Sequence, residues 1–157
     1  MLTFAFYKAV PGRFADRVIR FASRSIYSHV EFVMAGPNRD GKSFCISASK
    51  RDDGMVRAKR FVMNPEHWDY ITVPGDYAAA KARAISQLGT PYNTLSAALS
   101  ITPWPWRAGG GTHCSWFGGD LAGVPNAHRL TPGELHDILE ARERMQGPKG
   151  VRRDDKE

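Results

Sequence analysis

The chain has 157 residues, 42% of them hydrophobic and 24% charged, with a net charge of +6 at neutral pH. That length and balance suit one folded domain with a sizeable core, and they exclude a fibrous or low-complexity chain. The basic residues are scattered through positions 8 to 83 and gather again near the end, with no basic helix and no nucleic-acid motif. A solvated basic surface is therefore expected, and no nucleic-acid partner.

The opening "MLTFAFYKAVPGRF" has no basic leader and no long apolar core, so no secretory signal is expected. Nowhere do 18 apolar residues run unbroken, so no integral membrane contact is expected. Two cysteines do not make a disulfide framework, and without a signal the expectation is reduced thiols in a cytoplasm.

Residues 2–8, "LTFAFYK", form a β-rich apolar run and predict a first strand. In 11–25, Phe14, Val18, Ile19 and Phe21 recur at helical spacing, which predicts an amphipathic helix with its arginines outward. Strands follow at 29–36, closed by the turn cluster "GPNRDGK", and at 43–49 as its hairpin partner. Two more are predicted at 54–61 and 70–75. The pattern then turns helical. Residues 76–89 open on Asp76 as an N-cap and stop at Gly89, and 90–101 is a second helix behind Pro91. Residues 102–111 hold two prolines and three glycines, predicting a loop that Trp104 and Trp106 pin to the body. "HCSWFGGDLAG" (113–123) reads as a helix, weakened by about 1 kcal/mol at each of Gly118 and Gly119. The last helix, 131–145, opens with Thr131 three residues before Glu134, a capping box, and with Pro132 at its first position. The charged stretch 146–157 predicts a flexible tail. One α+β domain over 1–145 is expected, without repeats or linkers.

Two features carry chemistry. On a strand, His29, Glu31 and Val33 share one face while Val30, Phe32 and Met34 share the other. The second set reads as core. The first puts an imidazole two residues from a carboxylate, the pairing that raises imidazole basicity and fixes its tautomer, although an exposed strand face gives the same polar pattern. The other feature is Cys114, which follows the glycines 109–111 and opens a helix. Backbone N–H groups and the helix dipole stabilise a thiolate at such a place, and those N–H groups can serve an oxyanion hole with Gly111 clearing space for substrate. A small buried hydrophobe is the competing reading of Cys114. Cys45 alternates with apolar neighbours on its strand and reads as structural. His113 adjoins Cys114 but projects differently on a helix, and His67, His128 and His136 have no partner that the sequence supplies. With no CxxC or HExxH pattern, no metal is expected, and no other cofactor.

The order "YSHVEFVM", "FCISASKRDDGMVRAKRF", "LGTPYNTL", "GGTHCSWFGGDLAG" and "LTPGEL" resembles the circularly permuted branch of the NlpC-type papain-like cysteine hydrolases. YiiX-like proteins belong to that branch, and the small versions from bacteriophage and prophage genomes are especially similar. The resemblance covers residues 2 to 138. It implies a permuted papain-like fold, an antiparallel sheet or barrel packed against helices. It implies Cys114 as nucleophile, His29 as general base and Glu31 as the orienting residue, with Ser47 as the alternative on the following strand. Tyr92 would support the oxyanion, and Trp116 would face the substrate cleft. The implied partner is a peptide of bacterial peptidoglycan or another small amide or acyl compound, with delivery to the envelope by other phage components. A non-enzymatic phage assembly module with the same groove is the alternative. Two departures stand out. "CSWFGGDLAG" replaces the usual "CSE" or "CSG" and apolar helix, and Asn93 stands where many relatives carry an aspartate.

Overall fold

A computed structural model describes residues 1–8, 25–100 and 110–146. Strands β1 (Leu2–Lys8), β2 (Tyr27–Ala35), β3 (Lys42–Ser49), β4 (Met55–Val62) and β5 (Trp68–Val73) form one antiparallel sheet in the order β4-β3-β2-β1-β5. Helices α1 (Tyr77–Ser86), α2 (Thr94–Leu99), α3 (Cys114–Leu121) and α4 (Pro132–Met145) follow, with a 3-10 turn at Ala127–Arg129. None of the helices is long and apolar enough to cross a membrane among the described residues.

The period-two pattern of each strand sorts side chains onto two faces. One face presents Phe4, Phe6, Val30, Phe32 and Ile46 to Phe117 of α3 and to Leu135 and Leu139 of α4, all fully buried. Each such side chain contributes roughly 1.5–3 kcal/mol by leaving water. The opposite face carries a smaller cluster in which Ala5, Cys45 and Met63 are buried beneath Val33, Phe61 and Trp68. Phe61 lies on β4 and Trp68 on β5, the two edges of the sheet, yet their rings are 5.7 Å apart. In a flat sheet, four strand spacings would separate these edges by about 19 Å. The sheet therefore curls, and residues 63–67 close the short path between its edges.

The helix expected at 11–25, the loop carrying Trp104 and Trp106 and the tail beyond Gln146 lie outside the described residues, apart from Ser25, Gly110 and Gly111. Strand β2 begins two residues earlier than expected because Lys8 pairs with Tyr27. Asp76 caps α1 as expected, accepting from Ala79 N at 3.1 Å. The helix ends at Ser86 rather than at Gly89, whose N–H donates to Val56 O at 2.9 Å. Helix α2 starts only at Thr94, because Pro91 and Tyr92 are taken up in bridges to Met55 and Thr112. The capping box on α4 is formed in both directions, with Thr131 and Glu134 as its members.

Candidate active site

The site begins on β2. His29 and Glu31 project from the same face, and His29 Nε2 lies 2.8 Å from Glu31 Oε1. Glu31 is only 1% exposed. A carboxylate that deep requires a counterion, and Arg57 of β4 supplies it. Its Nη1 donates to Oε2 at 2.7 Å while its Nη2 donates to Oε1. Arg57 is opposite Ser47 in the β3–β4 ladder, and it reaches Glu31 across β3 past that small side chain. Asp52 and Lys59 extend the network, with Arg57 Nε donating to Asp52 Oδ2 at 3.0 Å and Lys59 Nζ to Oδ1 at 2.7 Å. Burial would raise the Glu31 pKa, but the hydrogen bonds from Arg57, and then that from His29, hold it below the usual carboxylate range.

Cys114 arrives from the other side, as the first residue of α3. It is 5% exposed and has a free thiol. Burial works against a charged His29, yet hydrogen bonding to Cys114 and then to Glu31 outweighs it, so the His29 pKa is pushed up to about 9. With Nε2 engaged by Glu31, Nδ1 is the ring nitrogen left for the thiol. Cys45, the other cysteine, is held in the cluster on that same face of the sheet. Burial, with the Glu31 charge adding to it, pushes its thiol up to about 12, so it stays neutral.

Local backbone pairing sets the thiol in place. Tyr92 N donates to Gly54 O at 2.8 Å, Thr112 N to Pro91 O at 3.0 Å and Asn93 N to Thr112 O at 2.8 Å. Segment 89–93 thus bridges the start of β4 to the approach to Cys114. Asn93 caps α2 by accepting from Ser96 N at 2.8 Å and also donates to Gly110 O at 3.2 Å. An aspartate could do only the first, which accounts for an asparagine here. Gly111 has φ +104°, and a Cβ there would run into the Pro91 carbonyl. Its missing side chain makes room for protein backbone rather than for substrate. His113 is the N-cap of α3. Its Nδ1 accepts from Trp116 N at 3.4 Å and its Nε2 donates to His128 O at 3.2 Å. Burial lowers its pKa to about 4, so it is a neutral structural cap.

A cleft of about 730 Å³ opens over these groups. Cys114, His29, Glu31 and Tyr92 all line it. Burial and the neighbouring Cys114 raise the Tyr92 pKa, so its hydroxyl keeps its proton. Ser47 does not line the cleft. It is fully buried and donates to Val30 O at 2.6 Å, which leaves Glu31 as the residue on His29. Trp116 does not line it either. Its ring sits edge-on to His113 and His128 at 6.1 and 5.8 Å. Two contributors escaped the sequence reading. Arg57 could have been sought as the cation any buried carboxylate needs. Ser28 sits in a bulge of β2, between residues paired with Tyr7 and Lys8, and lines the cleft. Its hydroxyl is buried with no hydrogen-bond partner among the described residues.

Among the described residues, one group could offer a metal three ligand atoms, namely His136, Asp137 and Glu140 on α4. His136 there is stacked on Tyr27 with ring centroids 4.1 Å apart. Comparison with protein-family models, curated proteins and solved structures finds no match.

Proposed function

We propose that the chain is a cysteine hydrolase that cleaves an amide or ester bond through a thioacyl-enzyme. One observation carries the reading: His29 has a buried carboxylate, held as an anion, on one ring nitrogen and shares its cleft with the thiol that opens a helix and raises the imidazole pKa. This is the nucleophile–base–orienter arrangement that activates weak nucleophiles.

In the proposed sequence, His29 takes the thiol proton and the Cys114 sulfur attacks the carbonyl carbon. The resulting oxyanion accepts hydrogen bonds from the Cys114 N–H and the Tyr92 hydroxyl. As the tetrahedral species collapses, the C–N or C–O bond breaks and the leaving group takes the proton from imidazolium. Water then enters, gives its proton to His29 and attacks the thioester. Collapse breaks the C–S bond, releases the acid and returns the proton to sulfur. Glu31, fixed by Arg57, holds the imidazole and stabilises its cation throughout. A peptide amide of bacterial peptidoglycan is the substrate that the family resemblance suggests.

The test compares wild type with Cys114→Ala on purified peptidoglycan and on simple amide and ester substrates. The reading expects turnover that falls at least a thousandfold in the variant. Equal turnover by both proteins removes Cys114 from the mechanism.

A further inference from the structure

Cys114 stands between two buried polar residues, and both are tied to the same neighbouring segment. His113 and Ser115 are each only 1% exposed. His113 Nε2 donates to His128 O at 3.2 Å, and the Ser115 hydroxyl donates to Leu130 O. These two bonds fasten the first turn of α3 to residues 128–130, where the 3-10 turn ends. The other nitrogen of His113 closes that first turn on itself. Nδ1 accepts from Trp116 N at 3.4 Å and lies 3.1 Å from the Ser115 hydroxyl. A backbone N–H can only donate and a carbonyl can only accept, so these neighbours fix the tautomer, with the proton on Nε2. Burial keeps the ring neutral, and the Nδ1 lone pair stays available to the cap.

We propose that His113 is a positioning residue for the Cys114 thiol: its cap holds the first turn of α3 where the sulfur meets His29. The inference rests on reading Cys114 as the nucleophile. Phe117 N also donates to His113 O, at 2.8 Å, so two of the first four N–H groups of α3 depend on His113. The bond at Nε2 aims the ring, and the bond at Nδ1 shapes the turn that carries the sulfur. His29 comes from β2 and Cys114 from α3, so their meeting joins two elements that no backbone ladder aligns. A displacement of about 1 Å at such a junction is enough to lose a productive contact.

Variants of the full chain that each imitate one nitrogen test this. His113→Asn puts an acceptor near the place of Nδ1 and remains a good N-cap, whereas His113→Gln reaches towards His128 and leaves Trp116 N uncapped. Two readouts need no turnover. One is the rate of Cys114 alkylation by iodoacetamide at pH 7, located by peptide mass spectrometry. The other is an NMR titration of His29, whose pKa of about 9 owes to hydrogen bonding with Cys114 as well as with Glu31. His113→Asn should alkylate within about twofold of wild type and leave the His29 titration in place. His113→Gln should alkylate at least about fivefold more slowly, with the His29 pKa lowered by about one unit. Should His113→Gln not fold, His113→Ala serves as the uncapped variant. Equal rates and equal His29 titrations in the capped and uncapped variants overturn the proposal, because a merely structural residue would be missed alike in both. The contrast in a chain that hydrolyses nothing supports the positioning role and counts against the hydrolase reading alone. Its absence from an active enzyme overturns the positioning role alone.

Discussion

At the scale of single residues, the site depends on a carboxylate that is stable as an anion only because Arg57 and His29 surround it. Removing one member of a buried pair leaves the other uncompensated, at a cost of about 3–5 kcal/mol. Arg57→Gln should therefore lower the unfolding free energy read by urea titration by that order, far more than substitution of an exposed arginine such as Arg60 would. Glu31→Gln should lower the His29 pKa from about 9, because a charged hydrogen-bonding partner is lost, and an NMR titration of the ring reads this directly. The sign of the acid dependence follows from the direction of the Glu31 shift. Its folded pKa lies below the ordinary 4.5, so its contribution is complete above that value and fades as pH falls through the lower, folded one. The stability gap between wild type and Glu31→Gln should be widest near neutrality and close in acid, and a gap that widens in acid would contradict the buried-anion account. His29 and Glu31 were legible in the sequence because both lie on one strand, where a period of two fixes their common face. Arg57 was not, since its approach depends on the register of β3 and β4, which no local pattern records.

At the scale of elements, α3 shows how a local reading misjudges a residue whose purpose is tertiary. Gly118 and Gly119 look like defects in a helix, yet they face β2, α4 and the 3-10 turn. A Cβ at Gly119 would come within 2.7 Å of the Ala127 Cβ, whereas one at Gly118 would meet Leu135 and Val30 at 3.4 and 3.5 Å. Gly119→Ala should consequently cost about 1–3 kcal/mol by overpacking. Gly118→Ala should stay within about 1 kcal/mol of wild type, as the helix propensity gained offsets a tight contact. Thermal melts of the two variants check this contrast, and equal losses would refute it. Elements whose ends are set by capping side chains, α1 at Asp76 and α4 at Thr131, were legible at their first residue. Helix α2 was not, because two bridges to distant segments override the helical tendency of residues 90–93.

At the scale of the whole molecule, the family resemblance implied an antiparallel sheet or barrel packed against helices, and the structure has a five-stranded antiparallel sheet with one face buried against α3 and α4. No local pattern within a strand records the curl. It arises from contacts between strands at opposite edges, Phe61 and Trp68, and it turns the second face into a small core with an ion pair inside it. On the proposed reading, that arrangement trades stability for function. Replacing the pair by apolar residues, Glu31→Leu with Arg57→Met, should leave stability unchanged or raise it by about 1–4 kcal/mol while abolishing turnover. A double variant that is both folded and fully active would show that the pair has no part in the chemistry.

The central claim is that His29 activates Cys114 to form a thioacyl-enzyme. The most direct measurement treats the chain with p-nitrophenyl acetate and locates acetyl groups by peptide mass spectrometry. The account predicts one acetyl group, on the peptide containing Cys114, formed by wild type and lost in His29→Ala, with Cys45 unmodified. Acetylation of Cys114 at the same rate in both proteins, or its absence from wild type, would contradict the account.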